Sequence, residues 1–228
     1  MKLLSIQDVI DRAGGIELIN NVGVSSDNRY MVHAEDTIKE QLQWAHSLKL
    51  HETAPLDILE IGTGAGFFPF IGGIYGHNVV SCDDRYPGSW WEEGYQLLNI
   101  DPINYFIYKN TSVNNTFKRK FDMIVSFRST IGTSTYVDPP DDGVDVWNID
   151  EWLFFFKDCS KNLLKSSESF MFFQCNKGGN LRPYVTMPPE KTSDWGPKDL
   201  DTFFTKYQKE QFTNYHHFYI TKEEIDSL

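Results

Sequence analysis

Glu60-Ile61-Gly62-Thr63-Gly64-Ala65-Gly66 sets a carboxylate two residues ahead of three glycines that alternate with small residues. Glycine permits backbone angles and close approach that a Cβ would forbid, and the free N–H groups of a helix start can meet a ligand. Such a loop suits a nucleoside. Asp83 lies about twenty residues further on, at the end of the next apolar run, where a carboxylate can accept from both hydroxyls of a ribose. The order acid, glycine loop, second acid is therefore the chemical core of this chain.

These groups need strands that end where the ligand binds. Leu56-Asp57-Ile58-Leu59-Glu60-Ile61 reads as a first strand, Phe67 to Tyr75 as the helix after it, and Asn78 to Cys82 as a second strand ending on Asp83-Asp84. Trp91 to Leu98 suits a helix, Tyr105 to Tyr108 a third strand, and Phe121 to Phe127 a fourth, with a brief helix or none between the last two. Arg128 to Asn148 is rich in Thr, Gly, Pro and Asp and too long for an ordinary connection, which marks a functional loop. Glu151 to Leu164 forms a strongly apolar helix, Ser169 to Cys175 a fifth strand, Leu200 to Gln208 an amphipathic helix and Tyr215 to Ile220 a last strand. Upstream, Ile6, Val9, Ile10 and Ala13 recur at helical spacing before Gly14-Gly15, and Glu35 to Leu50 carries Ile38, Leu42, Ala45 and Leu48 on one face, with Ser25 to Arg29 a polar loop between. Alternating strands and helices define an α/β fold: a Rossmann-like three-layer sandwich with a mainly parallel central sheet and an N-terminal helical extension. Residues 1–54 are expected to form that extension and 55–228 the ligand-binding domain.

Composition narrows the function. A net charge of -11 opposes general nucleic-acid binding, because such binders neutralise phosphates with Lys and Arg; Lys118-Arg119-Lys120 reads as a solvated turn. No uninterrupted apolar run reaches the roughly 18 residues of a membrane helix. Gln7-Asp8 cuts off the early apolar run before the length of a signal-peptide core, so a cytoplasmic location is expected. Cys82, Cys159 and Cys175 are odd in number and widely spaced, which fits small apolar fillers and neither a disulfide scaffold nor a metal site.

In its order of elements from Leu56 to Cys175 the chain resembles the class I S-adenosylmethionine-dependent methyltransferases, Glu60 to Gly66 matching their first motif and Val79 to Asp83 their second. The resemblance implies S-adenosylmethionine as cofactor. It sets Glu60 near the amino and carboxyl end of the cofactor's methionine, Gly62, Thr63, Gly64, Ala65 and Gly66 along the cofactor, and Asp83 on the ribose with Asp84 as the neighbour able to exchange roles. Where the family often has an Asp against the adenine amino group, this chain has Asn110, with Thr111 beside it. Phe121-Asp122 through Ser126-Phe127-Arg128 looks like the family's fourth strand, which puts Phe127 and Arg128 near the transferred methyl group.

Transfer from a sulfonium is an in-line displacement that asks mainly for alignment and exclusion of water. An acceptor hydroxyl or protonated amine needs in addition a base, for which His33, beside Arg29-Tyr30, and Asp138 are the first candidates. Asp145, His216 and His217 follow, the two adjacent histidines on opposite faces of a strand. Tyr136, Trp147, Trp90 and Trp91 sit in or near loops at strand ends, where they suit a flat, partly apolar pocket for a small or medium acceptor. Two neighbouring readings fit less well. A dinucleotide fold such as an NAD-binding protein wants a small residue where Phe67 stands. Asp138-Pro139-Pro140 is similar to the Asp-Pro-Pro-Tyr motif of amino-methylating DNA enzymes, yet it lies well downstream of the fourth strand and Asp141 replaces the stacking aromatic. A non-catalytic S-adenosylmethionine or nucleoside binder on the same fold is the alternative from another class.

Overall fold

A computed structural model describes residues 1–83, 91–108, 110–127, 149–176, 208–212 and 215–228. The chain divides into two compact units, Met1–Tyr105 and Phe106–Leu228.

The first unit opens with four helices, α1 (Ile6–Arg12), α2 (Ile16–Ser25), α3 (Arg29–Val32) and α4 (Ala34–Ser47). Ser5 starts α1 through a capping box: its hydroxyl accepts from the Asp8 N–H while the Asp8 carboxylate accepts from the Ser5 N–H, and Val9 and Ile10 face inward. The segment expected as a polar loop, Ser25 to Arg29, is a loop over Ser26, Asp27 and Asn28, with helix residues at its two ends. Ser25 ends α2, and the buried Asn28 caps α3, its side-chain oxygen accepting from the N–H groups of Tyr30 and Met31. In α4 the expected face buries Ile38, Leu42 and Ala45, while the helix ends at Ser47 and leaves Leu48 half-buried as its cap.

Strand β1 (Asp57–Ile61), helix α5 (Phe67–Ile74), strand β2 (Asn78–Asp83), helix α6 (Glu92–Leu98) and strand β3 (Ile103–Asn104) complete this unit. Its sheet runs β3-β2-β1, parallel throughout, with Glu60 opposite Ser81, Ile61 opposite Cys82 and Asp83 opposite Asn104. The third strand is thus two residues long and lies ahead of the apolar run Tyr105 to Tyr108 in which it was expected. The register with Cys82 and Asp83 selects Ile103 and Asn104, directly after Pro102, and the Tyr105 N–H continues the pairing, to the Asp83 carbonyl at 3.0 Å.

In the second unit, strand β4 (Met123–Phe127) pairs in parallel with β5 (Phe170–Asn176), and β7 (Tyr215–Thr221) runs antiparallel to both β5 and β6 (Gln208–Phe212). Between Phe106 and β4 the described residues form a single turn of 3-10 helix, Val113–Asn115, in agreement with the short polar link in the sequence. Helix α7 (Ile149–Asn162) buries Trp152, Phe155, Phe156 and Cys159, with Phe155 and Phe156 both edge-on to Phe173 of β5. The chain ends in α8 (Lys222–Asp226), capped by Thr221 and Glu224. The strand expected over Tyr215 to Ile220 is present. The helix expected over Leu200 to Gln208 falls outside the described residues except at Gln208, which opens β6. Among the described residues no helix is long and apolar enough to cross a membrane.

Helices of the first unit approach one another through glycine. A Cβ on Gly23 of α2 would stand 2.5 Å from the Val32 nitrogen and 2.8 Å from the Met31 carbonyl carbon, both backbone atoms of α3. Gly23→Ala is therefore expected to destabilise the fold by about 1–3 kcal/mol through overpacking, since backbone cannot rotate away. Chemical denaturation against Gly73→Ala, whose Cβ would meet no atom within 4 Å, checks this, and equal midpoints for the two variants would refute it.

Candidate functional site

The loop expected to carry chemistry leaves the carboxyl end of β1 and turns directly into α5. Gly62, Gly64 and Gly66 all have positive φ, at 77°, 54° and 82°. At Gly66 the requirement is double: the angle suits only glycine, and a Cβ would come within 2.1 Å of Ile100 Cδ1. Gly64 also needs its angle, but among the described residues its Cβ position faces open space for 4 Å. Phe67, the first residue of α5, is buried, so a bulky side chain does fill the place where a dinucleotide fold keeps a small residue.

Two carboxylates close this loop from neighbouring strands. The Gly62 N–H donates to the Cys82 carbonyl at 2.8 Å, which brings the loop against the end of β2. There Asp83 Oδ2 accepts from the Gly64 N–H at 2.8 Å. Glu60, 2% exposed, accepts from the Thr63 hydroxyl, and the Ser81 hydroxyl lies 3.4 Å from the same oxygen. Thr63 and Ser81 are buried with it. Burial pushes the Glu60 carboxyl up to about 8, and the charge of Asp83 pushes the same way, against the opposing pull of the Thr63 and Ser81 hydroxyls. Burial likewise raises the Cys82 thiol, next to both acids, so this cysteine is an apolar filler and no nucleophile.

The loop stands against the helical segment. A Cβ on Gly94 of α6 would meet Met31 Cε at 2.7 Å and lie 3.8 Å from the Ala65 carbonyl. Trp91, at the start of α6, stacks at a tilt on Tyr30, ring centres 5.5 Å apart, and the Arg29 guanidinium lies 4.9 Å over the Tyr30 ring. His33 is the exposed junction of α3 and α4; its carbonyl accepts from the Thr37 N–H, and among the described residues its ring makes no hydrogen bond.

In the second unit Phe127 is the buried last residue of β4, its ring 6.0 Å from Phe172. Asn110 and Thr111 are exposed on a turn, Asn110 at a φ of 53°, a left-handed angle that Asn tolerates better than most residues. Asp84, Trp90, Arg128, Tyr136, Asp138, Asp145 and Trp147 lie outside the described residues, and of His216 and His217 only the backbone, on β7, is described. The structure thus brings Glu60, Gly62, Thr63, Gly64, Ala65, Gly66 and Asp83 together. It adds Ser81, which the sequence reading passed over: a lone hydroxyl in an apolar strand, directly across from Glu60, was its available signal.

This arrangement fits a nucleoside that carries a cation. Its two acids stand at the carboxyl ends of adjacent parallel strands, where open α/β sheets bind ligands, and the glycine between them faces open space among the described residues. Parallel strands with flanking helices make this the Rossmann-like fold of the class I S-adenosylmethionine-dependent methyltransferases. The N-methyltransferase NodS from Bradyrhizobium japonicum, solved in complex with S-adenosyl-L-homocysteine, is similar at 14% identity over 88% of this chain and 97% of that one, with a TM-score of 0.50. A Pyrococcus horikoshii protein is similar at 14% identity over 81% of this chain and 91% of its own, also with a TM-score of 0.50. No family model and no curated protein sequence matches the chain.

The raised Glu60 carboxyl has a signed consequence for stability. With its folded value near 8 above its ordinary 4.5, the folded protein holds this proton more tightly than the unfolded one, so the stabilisation is complete below about 4.5 and is lost as pH rises towards 8. The difference in unfolding free energy between wild type and Glu60→Gln is therefore expected to move in favour of the variant by about 1 kcal/mol per pH unit across that window, without cofactor. Urea unfolding at pH 5, 6 and 7 measures it; parallel pH dependences for the two proteins would show that Glu60 stays ionised.

Proposed function

We propose that this chain is a methyltransferase that takes its methyl group from S-adenosylmethionine and passes it to a small or medium acceptor. The observation that carries the reading is the closed loop itself, in which three left-handed glycines are held between the buried Glu60 and Asp83 at the ends of two adjacent parallel strands. When bound, the cofactor supplies an electrophilic methyl on a sulfonium. Glu60 would hold the amino end of its methionine, because a carboxyl held neutral by burial gains most by ionising beside a cation. Asp83 would accept from the ribose hydroxyls while its bond to the Gly64 N–H keeps the loop in place. Asn110 and Thr111 would meet the adenine, and His33 or Asp138 would take a proton from the acceptor where the acceptor has one to lose. A displacement at a sulfonium is driven by alignment, to which a loop hydrogen-bonded on both sides would contribute.

Conversion of labelled S-adenosylmethionine to S-adenosylhomocysteine, measured over a panel of phenols, amines and carboxylates, tests the reaction. Turnover with at least one acceptor is expected. Tight binding with no turnover across the panel would favour a non-catalytic binder, and preferential binding of NAD would overturn the cofactor assignment. Asp83→Ala removes charge-assisted hydrogen bonds and is expected to weaken S-adenosylhomocysteine binding by about ten- to a hundredfold by calorimetry. Unchanged affinity in a folded Asp83→Ala protein would refute the ribose role.

A further inference from the structure

Within the first unit, His46, His51, Tyr75 and His77 gather at the end where β1 and β2 begin, away from the glycine loop. Tyr75 is buried and caps α5 at the far end of that helix from Gly66. Its hydroxyl oxygen accepts from the Leu4 N–H at 2.9 Å and lies 2.9 Å from Nε2 of His46, in the last turn of α4. One atom thus joins α4, α5 and the residue just ahead of the α1 capping box. The His51 ring faces both partners, 5.4 Å from His46 and 6.3 Å from Tyr75 between centres, and its Nδ1 is buried with no hydrogen-bond partner among the described residues. The other charged or titratable groups here are engaged. Glu52 lies 3.0 Å from His51 Nε2, the Met1 amine donates to the His51 carbonyl, and Asp8 of α1 pairs with Lys2 at 3.8 Å. His77 uses both ring nitrogens, Nδ1 accepting from the Leu56 N–H at 3.1 Å and Nε2 donating to the Leu50 carbonyl at 2.8 Å.

Counting protons fixes the direction of these bonds. A tyrosine hydroxyl has a single proton, and the Leu4 N–H already donates to the Tyr75 oxygen, so the Tyr75 proton goes to His46 Nε2, which must be unprotonated to receive it. The relay from Leu4 through Tyr75 to His46 therefore exists only with a neutral imidazole. Burial pushes the Tyr75 hydroxyl up, against the pull of the Leu4 N–H, so the hydroxyl keeps its proton. Burial holds His46 below its ordinary 6.5, and a charge on His51 pushes the same way. A proton on His46 Nε2 aims two donors at one oxygen and leaves the Tyr75 proton buried without an acceptor, which is costly. Withdrawal of Leu4 relieves this, because water then takes the Tyr75 proton and solvates the imidazolium. The closed arrangement disfavours the proton on His46, so it is favoured in full above about 6.5 and is lost as pH falls below that value.

We propose that this relay is a pH-controlled latch on the start of α1: with His46 neutral it holds Leu4 against α4 and α5, and protonation of His46 releases Leu4 and lets the first turn of α1 open. Little else holds the segment. Leu3 and Ser5, on either side of Leu4, are exposed, and the burial that seats α1 begins only at Val9 and Ile10. The latch stands independently of the methyltransferase reading, since none of its groups belongs to the glycine loop or to the acids beside it.

Amide hydrogen exchange of Leu4 in the full chain, read by NMR and divided at each pH into the rate of an unstructured peptide, tests the latch as a protection factor. Between about pH 7.5 and 5.5 the protection of Leu4 is expected to fall by about threefold or more, one proton allowing at most about tenfold per pH unit. Ile100, whose N–H donates to the Tyr95 carbonyl at 3.0 Å at the end of α6, is expected to keep its protection. His46→Gln retains an oxygen that can accept from Tyr75 but takes no proton, so Leu4 should stay protected at both pH values. Tyr75→Phe removes the acceptor and should leave Leu4 unprotected at both; if that protein does not fold, His46→Gln carries the test by itself. His77 is present in every variant, so its own titration does not separate them. A Leu4 amide unprotected in wild type at the higher pH, a fall that survives in His46→Gln, or a parallel loss at Ile100 overturns the proposal.

Discussion

The burial of one carboxyl at the end of β1 is the constraint from which the candidate site follows. Glu60 is removed from water and must find its partners nearby. Thr63, three residues on, supplies a hydroxyl only if the chain folds back on itself at once, and the left-handed angle at Gly62 serves that reversal. The reversal turns the Gly64 N–H towards β2, where Asp83 accepts it. A second acid is thereby drawn close to the first and makes its ionisation less favourable. A buried acid whose carboxyl is pushed up, with a second acid beside it, suits a cation and hydroxyl donors, and this is the electrostatic content of the site.

The same loop depends on helices that come unusually close. Gly72 of α5 would bring a Cβ to 2.6 Å from Val79 Cγ2 of β2, and Gly94 of α6 would press on Met31. Met31, fully buried and unbranched, fills the space that Gly94 leaves, which is a use to which a flexible thioether is well suited. Because Met31 follows Tyr30 in α3, the contact that seats α3 against α6 also brings Tyr30 onto Trp91. The helical segment ahead of β1 is thus packed by the same elements that shape the loop.

Much of this was legible in the sequence, and the reasons are local. The glycine loop, the acid before it and Asp83 after it are readable because each depends on its own backbone angle or on its place at a strand end. The apolar faces of α4 and α7 are readable because burial repeats with the helical period. What was not legible depended on partners far along the chain. The third strand could not be placed from its composition, since Tyr105 to Tyr108 is the more strand-like run, yet register with Cys82 and Asp83 selects Ile103 and Asn104. Ser81 has meaning only opposite Glu60, and Asp158 only against Ser112 and Val113. The capped turn of α3 was hidden because Asn28, a loop residue by type, serves there as a buried helix cap.

The antiparallel end of the second unit makes the same point from the opposite direction. Gln208-Lys209-Glu210-Gln211-Phe212 has little of the β-branched or aromatic content that marks a strand, yet it pairs with β7 across a link of only two residues, Thr213-Asn214. Among the described residues β6 stands at the edge of the sheet, and its polar make-up suits that place, because charged residues on an edge strand discourage pairing with a further chain. β7 in turn reads clearly as a strand, being apolar and aromatic, and it satisfies β5 along seven residues from Phe170 opposite Thr221 to Asn176 opposite Tyr215. A strand in the interior of a sheet announces itself through its own side chains, whereas an edge strand takes its conformation from the open hydrogen-bonding groups of its neighbour. Sequence patterns that measure burial therefore find β7 and pass over β6, and the direction of that error is set by which of the two strands has, among the described residues, a partner on one side.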